Sequence, residues 1–320
     1  MKVKRVVGAH IAASVFLSCP TLMSYAQDST ISAMTRSPRI PEISSSNDLQ
    51  VEKTFKKIGG LAWEPSASDP LGRFWISDRE KRNELVSLEP TTGELKVRRI
   101  AATFKPGPLA VDVVSDNSAS NETRLWILDV SRHKLFSLAG RETPPEESKI
   151  VPFRKRFPGI RIKPATRRAE ITGIATSRKP GKNEDSRIIW TCRGGGLCST
   201  IEVVDPENKQ TLAKFFPRCE PIDIAINPSG DRLWILADNG ERRGAVLVER
   251  SLEVQEDRQP WEGARGKTLR LRSLPREIHP VSIVATDDSV WVITENSIDS
   301  KGLALDYPHL YQFPVDRTIQ

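Results

Sequence analysis

The sequence predicts an all-β chain folded as a β-propeller, and three features point to that class. A strand-like segment with a tryptophan occurs five times, a short segment of small residues precedes each copy, and turn residues separate the two. The tryptophans are 44 to 64 residues apart, a period typical of repeated supersecondary units. Four short strands in each repeat would form one propeller blade.

The five tryptophan segments share an apolar, β-branched composition. They are residues 73–78, 125–129, 188–192, 233–238 and 290–295. The segments upstream of them are rich in Gly, Ala, Ser and short aliphatic residues. They are residues 60–63, 109–113, 172–175, 222–226 and 281–284.

Propeller geometry explains this pairing of small residues with tryptophan. The innermost strand of a blade is crowded around the central channel, so small side chains are expected there. The second strand lies between adjacent blades, where a tryptophan that buries roughly 150–250 Å² fills the gap. A β-sandwich or two small β domains are the alternative, since regular strands and turns would also suit them.

The two ends of the chain predict how the ring closes. Residues 49–55 resemble a strand with no blade of its own, and the last repeat, ending at residues 309–315, lacks a fourth strand. We expect the N-terminal strand to complete the last blade, which removes exposed strand edges. Five blades are visible, and a sixth would fit in the long interval between Trp126 and Trp190.

The N-terminus has the order of a secretory signal peptide. Lys2, Lys4 and Arg5 precede a short apolar run and small residues ending at Ala26, which predicts cleavage after Ala26 and an exported, periplasmic or secreted protein. A lipoprotein signal with Cys19 as the modified residue is the less favoured alternative. The predicted organisation is a signal peptide (1–26), a flexible leader (27–47) and a propeller domain (48–320), with no membrane span.

Charge and cysteine content limit the partners. Removing residues 1–26 takes away three basic and no acidic residues, so the net charge falls from +7 to about +4. That balance favours anionic ligands mildly and does not indicate a nucleic-acid-binding protein. We expect a monomer, with one disulfide among the remaining cysteines, Cys192 pairing with Cys219 or Cys198.

Acidic residues at the ends of the tryptophan strands are the metal-site candidates. In a propeller these strand ends open on the same face as the starts of the inner strands. Converging carboxylates there would suit Ca²⁺ or another divalent cation, or acid–base chemistry, while the alternative is that they only begin turns. The candidates are Asp78, Asp129, Asp238 and Glu295.

Basic and amide side chains of the same loops are the ligand-binding candidates. Guanidinium groups suit phosphate or carboxylate ligands. The segment 154–168 has seven basic residues and no acidic ones, although a solvated loop would look the same. The candidates are Arg79, Arg132, Arg193, Asn239, Arg242, Arg154, Arg156 and Arg161.

The repeats resemble a known group of exported bacterial propellers. Residues 59–63, 74–79 and 85–88, with 222–236, are similar to blades of the esterase-like phytase and SMP-30/gluconolactonase-like groups. The resemblance covers roughly residues 58–315 and implies the propeller fold. It carries no catalytic motif, and the SMP-30 metal ligands have no matched positions here.

Two functions remain from the sequence. The first is a propeller that binds a small anionic ligand or a protein partner on the channel-mouth face. The second is a hydrolase of lactonase, esterase or phosphoesterase type that depends on a divalent cation. The sequence leaves open whether the chain is an enzyme, because no nucleophile or base can be identified by spacing.

Overall fold

The chain forms five small antiparallel sheets. The computed structural model describes residues 44–53, 55–81, 83–100, 105–114, 122–130, 134–139, 151–152, 171–178, 187–194, 199–206, 208, 210–217, 219–238, 244–252, 270–276, 278–295 and 307–315. All of these belong to one compact unit, Ile40–Gln320. The described residues contain no helix, and so no helix that is long and apolar enough to cross a membrane.

The described residues form twenty strands, four to each blade. Strand β1 (Asn47–Gln50) comes first in the chain and belongs to the last blade. Blade 1 contains β2 (Ile58–Glu64), β3 (Arg73–Asp78), β4 (Glu84–Glu89) and β5 (Glu94–Arg99). Blade 2 contains β6 (Pro106–Val114), β7 (Glu122–Asp129), β8 (Lys134–Ala139) and β9 (Val151–Pro152).

The remaining blades repeat this order. Blade 3 contains β10 (Ile171–Arg178), β11 (Arg187–Arg193), β12 (Thr200–Asp205) and β13 (Gln210–Phe215). Blade 4 contains β14 (Glu220–Ile226), β15 (Arg232–Asp238), β16 (Ala245–Ser251) and β17 (Arg270–Ser273). Blade 5 contains β18 (Pro280–Ala285), β19 (Ser289–Thr294) and β20 (His309–Pro314), with β1 at its edge.

The first strands of the blades form a closed inner ring. Strands β2, β6, β10, β14 and β18 each contact the next, and β18 contacts β2. This arrangement confirms the five-bladed propeller, and it excludes the sixth blade that the sequence left open.

Each tryptophan lies between two neighbouring blades, as predicted. Five separate apolar clusters fill the five blade interfaces, and each contains one tryptophan of a second strand. The five indoles are at most 7% exposed. The tryptophans are Trp75, Trp126, Trp190, Trp234 and Trp291, and opposite them on the inner strands stand Ala62, Ala110, Ala175, Ala225 and Val284.

The N-terminal strand closes the ring, which confirms the predicted role but shifts its position. β1 pairs with β20 in antiparallel register, with Leu49 opposite Leu310. The strand ends at Gln50 instead of continuing to Phe55. Val51 and Phe55 are buried in the cluster between blades 5 and 1, so their apolar character reflects packing after the strand has ended.

The strand register defines the face that carries the candidate residues. The start of each inner strand pairs with the end of the tryptophan strand, for example Ile58 with Asp78 and Glu220 with Asp238. We call this the mouth face, and it lies where the sequence predicted. Every inner strand has a register shift close to its start, which is typical of a β-bulge.

Candidate functional site

Asp78 organises the mouth side of blade 1. Its side chain is buried, and its two oxygens accept four backbone N–H bonds, from Lys56 (2.9 Å), Lys57 (3.2 Å), Glu80 (3.0 Å) and Lys81 (3.2 Å). The first two donors precede the inner strand and the other two follow the tryptophan strand. One carboxylate thus ties together two segments that are more than twenty residues apart, which is the turn-forming role expected of Asp at a strand end.

The other three acidic candidates differ in their surroundings. Asp129 is fully buried, whereas Asp238 and Glu295 are exposed. Within the described ranges, no three His, Cys, Asp or Glu side chains lie close enough together to hold a metal ion. The cation site stays a prediction of the sequence.

The two segments held by Asp78 bring five cations to the mouth of blade 1. We call this group the basic mouth; it consists of Lys53, Lys56, Lys57, Arg79 and Lys81. Lys56 and Lys57 are exposed, and the other three are half-buried. Carboxylates lie close to these cations as well: Asp78 and Glu84 act on Lys53, and Asp223 interacts with Arg79.

Lys53 shows that these cations influence one another. Burial lowers the pKa of its ammonium group, and the charge of Lys81 lowers it further, while Glu84 and Asp78 act in the opposite direction. The ammonium groups of Lys53 and Lys81 therefore repel each other.

Two of the eight ligand-binding candidates lie in the described part of the chain. Arg79 belongs to the basic mouth. Arg193 is at the mouth end of β11, where its Nε lies 3.8 Å from Glu202, and Lys214 lies 3.4 Å from the same carboxylate. The candidates outside the described residues are Arg132, Asn239, Arg242, Arg154, Arg156 and Arg161.

The blade seams around the channel carry hydrogen bonds from side chains. An inner strand pairs on one side only, so its other backbone groups need different partners. The bonds are Ser77 Oγ to Gly107 O (2.6 Å), Thr176 Oγ1 to Val111 O (3.1 Å), Thr172 Oγ1 to Pro221 O (3.4 Å), Ile283 N to Asp223 Oδ2 (3.0 Å) and Leu61 N to Ser282 Oγ (2.8 Å). Together they span all five seams.

Asp223 is the member of this set that the sequence analysis missed. It lies on β14, and its carboxylate accepts hydrogen bonds from the Ser282 hydroxyl and from the N–H groups of Ile283 and Ile224. Burial raises its pKa to about 7, although these hydrogen bonds and the charge of Arg79 act to lower it. This carboxyl group therefore changes its protonation state near neutral pH.

The two cysteines in the described part of the chain are free thiols. Cys192 is buried and Cys219 is half-buried, and neither forms a disulfide, so the structure does not show the predicted Cys192–Cys219 bond. Cys198 lies outside the described residues. Burial and the nearby charge of Asp223 raise the pKa of the Cys192 thiol strongly, which makes it a poor nucleophile.

The central channel is narrow. The middle residues of the five inner strands line a cavity of about 50 Å³, mainly with Leu, Ile, Ala and Val side chains. That volume holds a few water molecules and no organic ligand.

Comparisons with known proteins add no family. No family model matches the chain, and no curated protein matches its sequence. The propeller fold that the resemblance to the phytase and SMP-30 groups implies is present. No sequence match supports membership of either group.

Several solved structures are similar in shape. They include hydrazine synthase of Kuenenia stuttgartiensis (12% identity, TM-score 0.40, 76% of this chain and 57% of that chain) and glutaminyl cyclase of Myxococcus xanthus (13%, 0.47, 86% and 100%). A chain of a nidogen/laminin complex is also similar (11%, 0.42, 74% and 72%). The chain spans little more than half of the hydrazine synthase chain. At these TM-scores the fold assignment rests on the strand pairing described above.

Proposed function

We propose that this chain is a binding protein that holds a small anionic ligand on the basic mouth. The observation that carries the proposal is the gathering of five cations around the Asp78 turn, where the charge of Lys81 already lowers the pKa of Lys53. An anion bound between Lys53 and Lys81 would relieve the repulsion between these two ammonium groups, which favours binding.

The narrow channel supports this location. Because the cavity at the centre holds only water-sized molecules, the ligand contacts the rim of the ring. Lysine ammonium groups and the Arg79 guanidinium donate hydrogen bonds to phosphate, sulfate or carboxylate oxygens. Two or more anionic groups on one ligand would let it contact several cations of the basic mouth at once.

The other predicted activities stay predictions. The cation-dependent hydrolase has no supporting cluster among the described residues, and the buried Cys192 thiol is unsuited to nucleophilic attack. The protein-partner alternative relied on the segment 154–168, which lies outside the described residues, as does the predicted signal peptide.

A fluorescent tetra-anion tests the proposal. Pyrenetetrasulfonate remains fully ionised across neutral pH, and its fluorescence anisotropy reports binding. The double variant Lys56→Glu/Lys57→Glu should weaken its binding about tenfold or more at low salt, because two attractive charges become repulsive. Both side chains are exposed, so the fold should tolerate the change.

A matched variant controls for net charge. Lys96→Glu/Arg178→Glu makes the same change in charge at two exposed positions, Lys96 on the outer strand of the same blade and Arg178 at the end of β10 away from the mouth. The proposal predicts that this variant binds the probe nearly as well as the wild type. Equal losses in both variants, or no binding by the wild type, would reject the basic mouth as the site.

A further inference from the structure

Asp223 occupies a special position in the inner ring. On each inner strand, one residue stands opposite the tryptophan of the second strand. The residues two positions before it are Gly60, Pro108, Gly173, Asp223 and Ser282. Four of these have no charge at any pH relevant to the cell. Asp223 is therefore the one ionisable group in this layer of the ring.

The surroundings fix the Asp223 carboxylate in place. A Cβ atom added to Gly173 would lie only 1.9 Å from Asp223 Oδ1, so the side chain fills the space that this glycine leaves open. On the other side the carboxylate is held by Ser282 and Ile283 of blade 5. It is 4% exposed and has no room to move away from its neighbours.

Arg79 connects this carboxylate with the basic mouth. It follows directly after Asp78, and its Cγ lies 2.9 Å from the position a Gly59 Cβ would take, so its side chain runs along the start of the inner strand. The positive charge of Arg79 also acts on Asp223 and counters the effect of burial on the pKa of its carboxyl group. We infer that Asp223 tunes anion binding at the basic mouth, because its buried carboxylate competes with the ligand for the positive charge of Arg79.

This inference rests on the proposed function and predicts a pH dependence. A bound anion adds negative charge near Asp223 and draws on Arg79, and both effects favour the protonated carboxyl group. By thermodynamic linkage, protonation of Asp223 then strengthens anion binding to the same extent. If binding shifts the pKa of Asp223 upward from about 7 by one unit, affinity falls about fivefold from pH 6 to pH 8.

Other titratable groups near Asp223 or at the mouth of the neighbouring blades could also make anion binding depend on pH. Cys192 faces Asp223 from blade 3, and its strongly raised pKa keeps the thiol neutral in this range. His279, exposed at the start of blade 5, is the imidazole that requires a control. The sulfonates of the probe do not titrate.

The test follows binding of pyrenetetrasulfonate to the full chain from pH 6 to pH 8. The wild type and His279→Gln should both lose affinity about fivefold, and Asp223→Asn should bind with an affinity that hardly changes. Asp231→Asn is the matched control: Asp231 lies at the opposite end of blade 4, and hydrogen bonds from Asn227 and Ser229 lower its pKa despite partial desolvation. It should behave as the wild type.

If Asp223→Asn does not fold, proton uptake on binding can be measured without any substitution at Asp223. Calorimetric titration of His279→Gln at pH 7, in buffers of different ionisation enthalpy, should show uptake of about 0.4 proton for each probe bound. No uptake, or the same pH dependence in Asp223→Asn as in Asp231→Asn, overturns the inference. In either case binding by the wild type would leave the proposed function standing, whereas absence of binding at every pH would remove both.

Discussion

The buried Asp223 carboxyl group should make the stability of the propeller depend on pH in an unusual direction. Its pKa is 3.8 in a solvated chain and about 7 in the folded protein, chiefly because of burial. Between these values the folded protein binds more protons than the unfolded one, so the free energy of unfolding falls as pH rises. From pH 5.5 to pH 8 the loss amounts to about 2 kcal/mol.

Chemical denaturation at a series of pH values measures this effect. The wild type should lose about 2 kcal/mol of unfolding free energy over that interval relative to Asp223→Asn, in which the titrating group is absent. Taking the difference removes contributions from histidines and from groups that titrate at lower pH. Parallel curves for the two proteins would show that the carboxylate is stabilised in its charged form by Ser282 and Ile283, and the reasoning about burial would be wrong.

Three further predictions concern the fold. Trp190→Ala should lower the free energy of unfolding by about 3–5 kcal/mol, measured by urea denaturation, because the fully buried indole fills the interface of blades 3 and 4. Replacing residues 47–50 with glycine and serine should destabilise the ring by about 2 kcal/mol or more and promote self-association detected by gel filtration, since it weakens the β1–β20 pairing. Cys192 should resist iodoacetamide in the folded protein and react after unfolding, as followed by peptide mass spectrometry.

The blades could be predicted because their physical requirement repeats. A wedge between sheets needs a large flat side chain, and the crowded inner strand opposite it needs a small one, so Trp75 and Ala62 recur as a pair in every blade with little change. Closure by the N-terminal strand was also predicted. Its limits were wrong because Val51 and Phe55 are apolar through packing between blades and not through strand pairing.

The site was harder to predict because it joins distant segments. Lys56 and Lys81 lie twenty-five positions apart, and only the hydrogen bonds to Asp78 bring their backbones together. The sequence marked Asp78 as either a metal ligand or a turn former and could not choose between them. The structure shows its oxygens bonded to four backbone N–H groups.

Asp223 was overlooked for a related reason. Within its strand it follows one isoleucine and precedes another, and a polar residue between apolar ones usually faces solvent at a strand surface. The position of Asp223 becomes clear only when the five inner strands are aligned by the residue opposite each tryptophan. The equivalent positions of the other four strands then hold glycine, proline or serine. Strand register, and not residue type, carried that signal.

A selenate soak tests the central claim most directly. Selenate is a small dianion whose selenium gives an anomalous signal in a crystal, so its position can be found without assumptions about the site. The account predicts the strongest anomalous peak within about 4 Å of ammonium or guanidinium nitrogens of the basic mouth. Peaks confined to the opposite face or the outer strands, with none at the basic mouth, would contradict it.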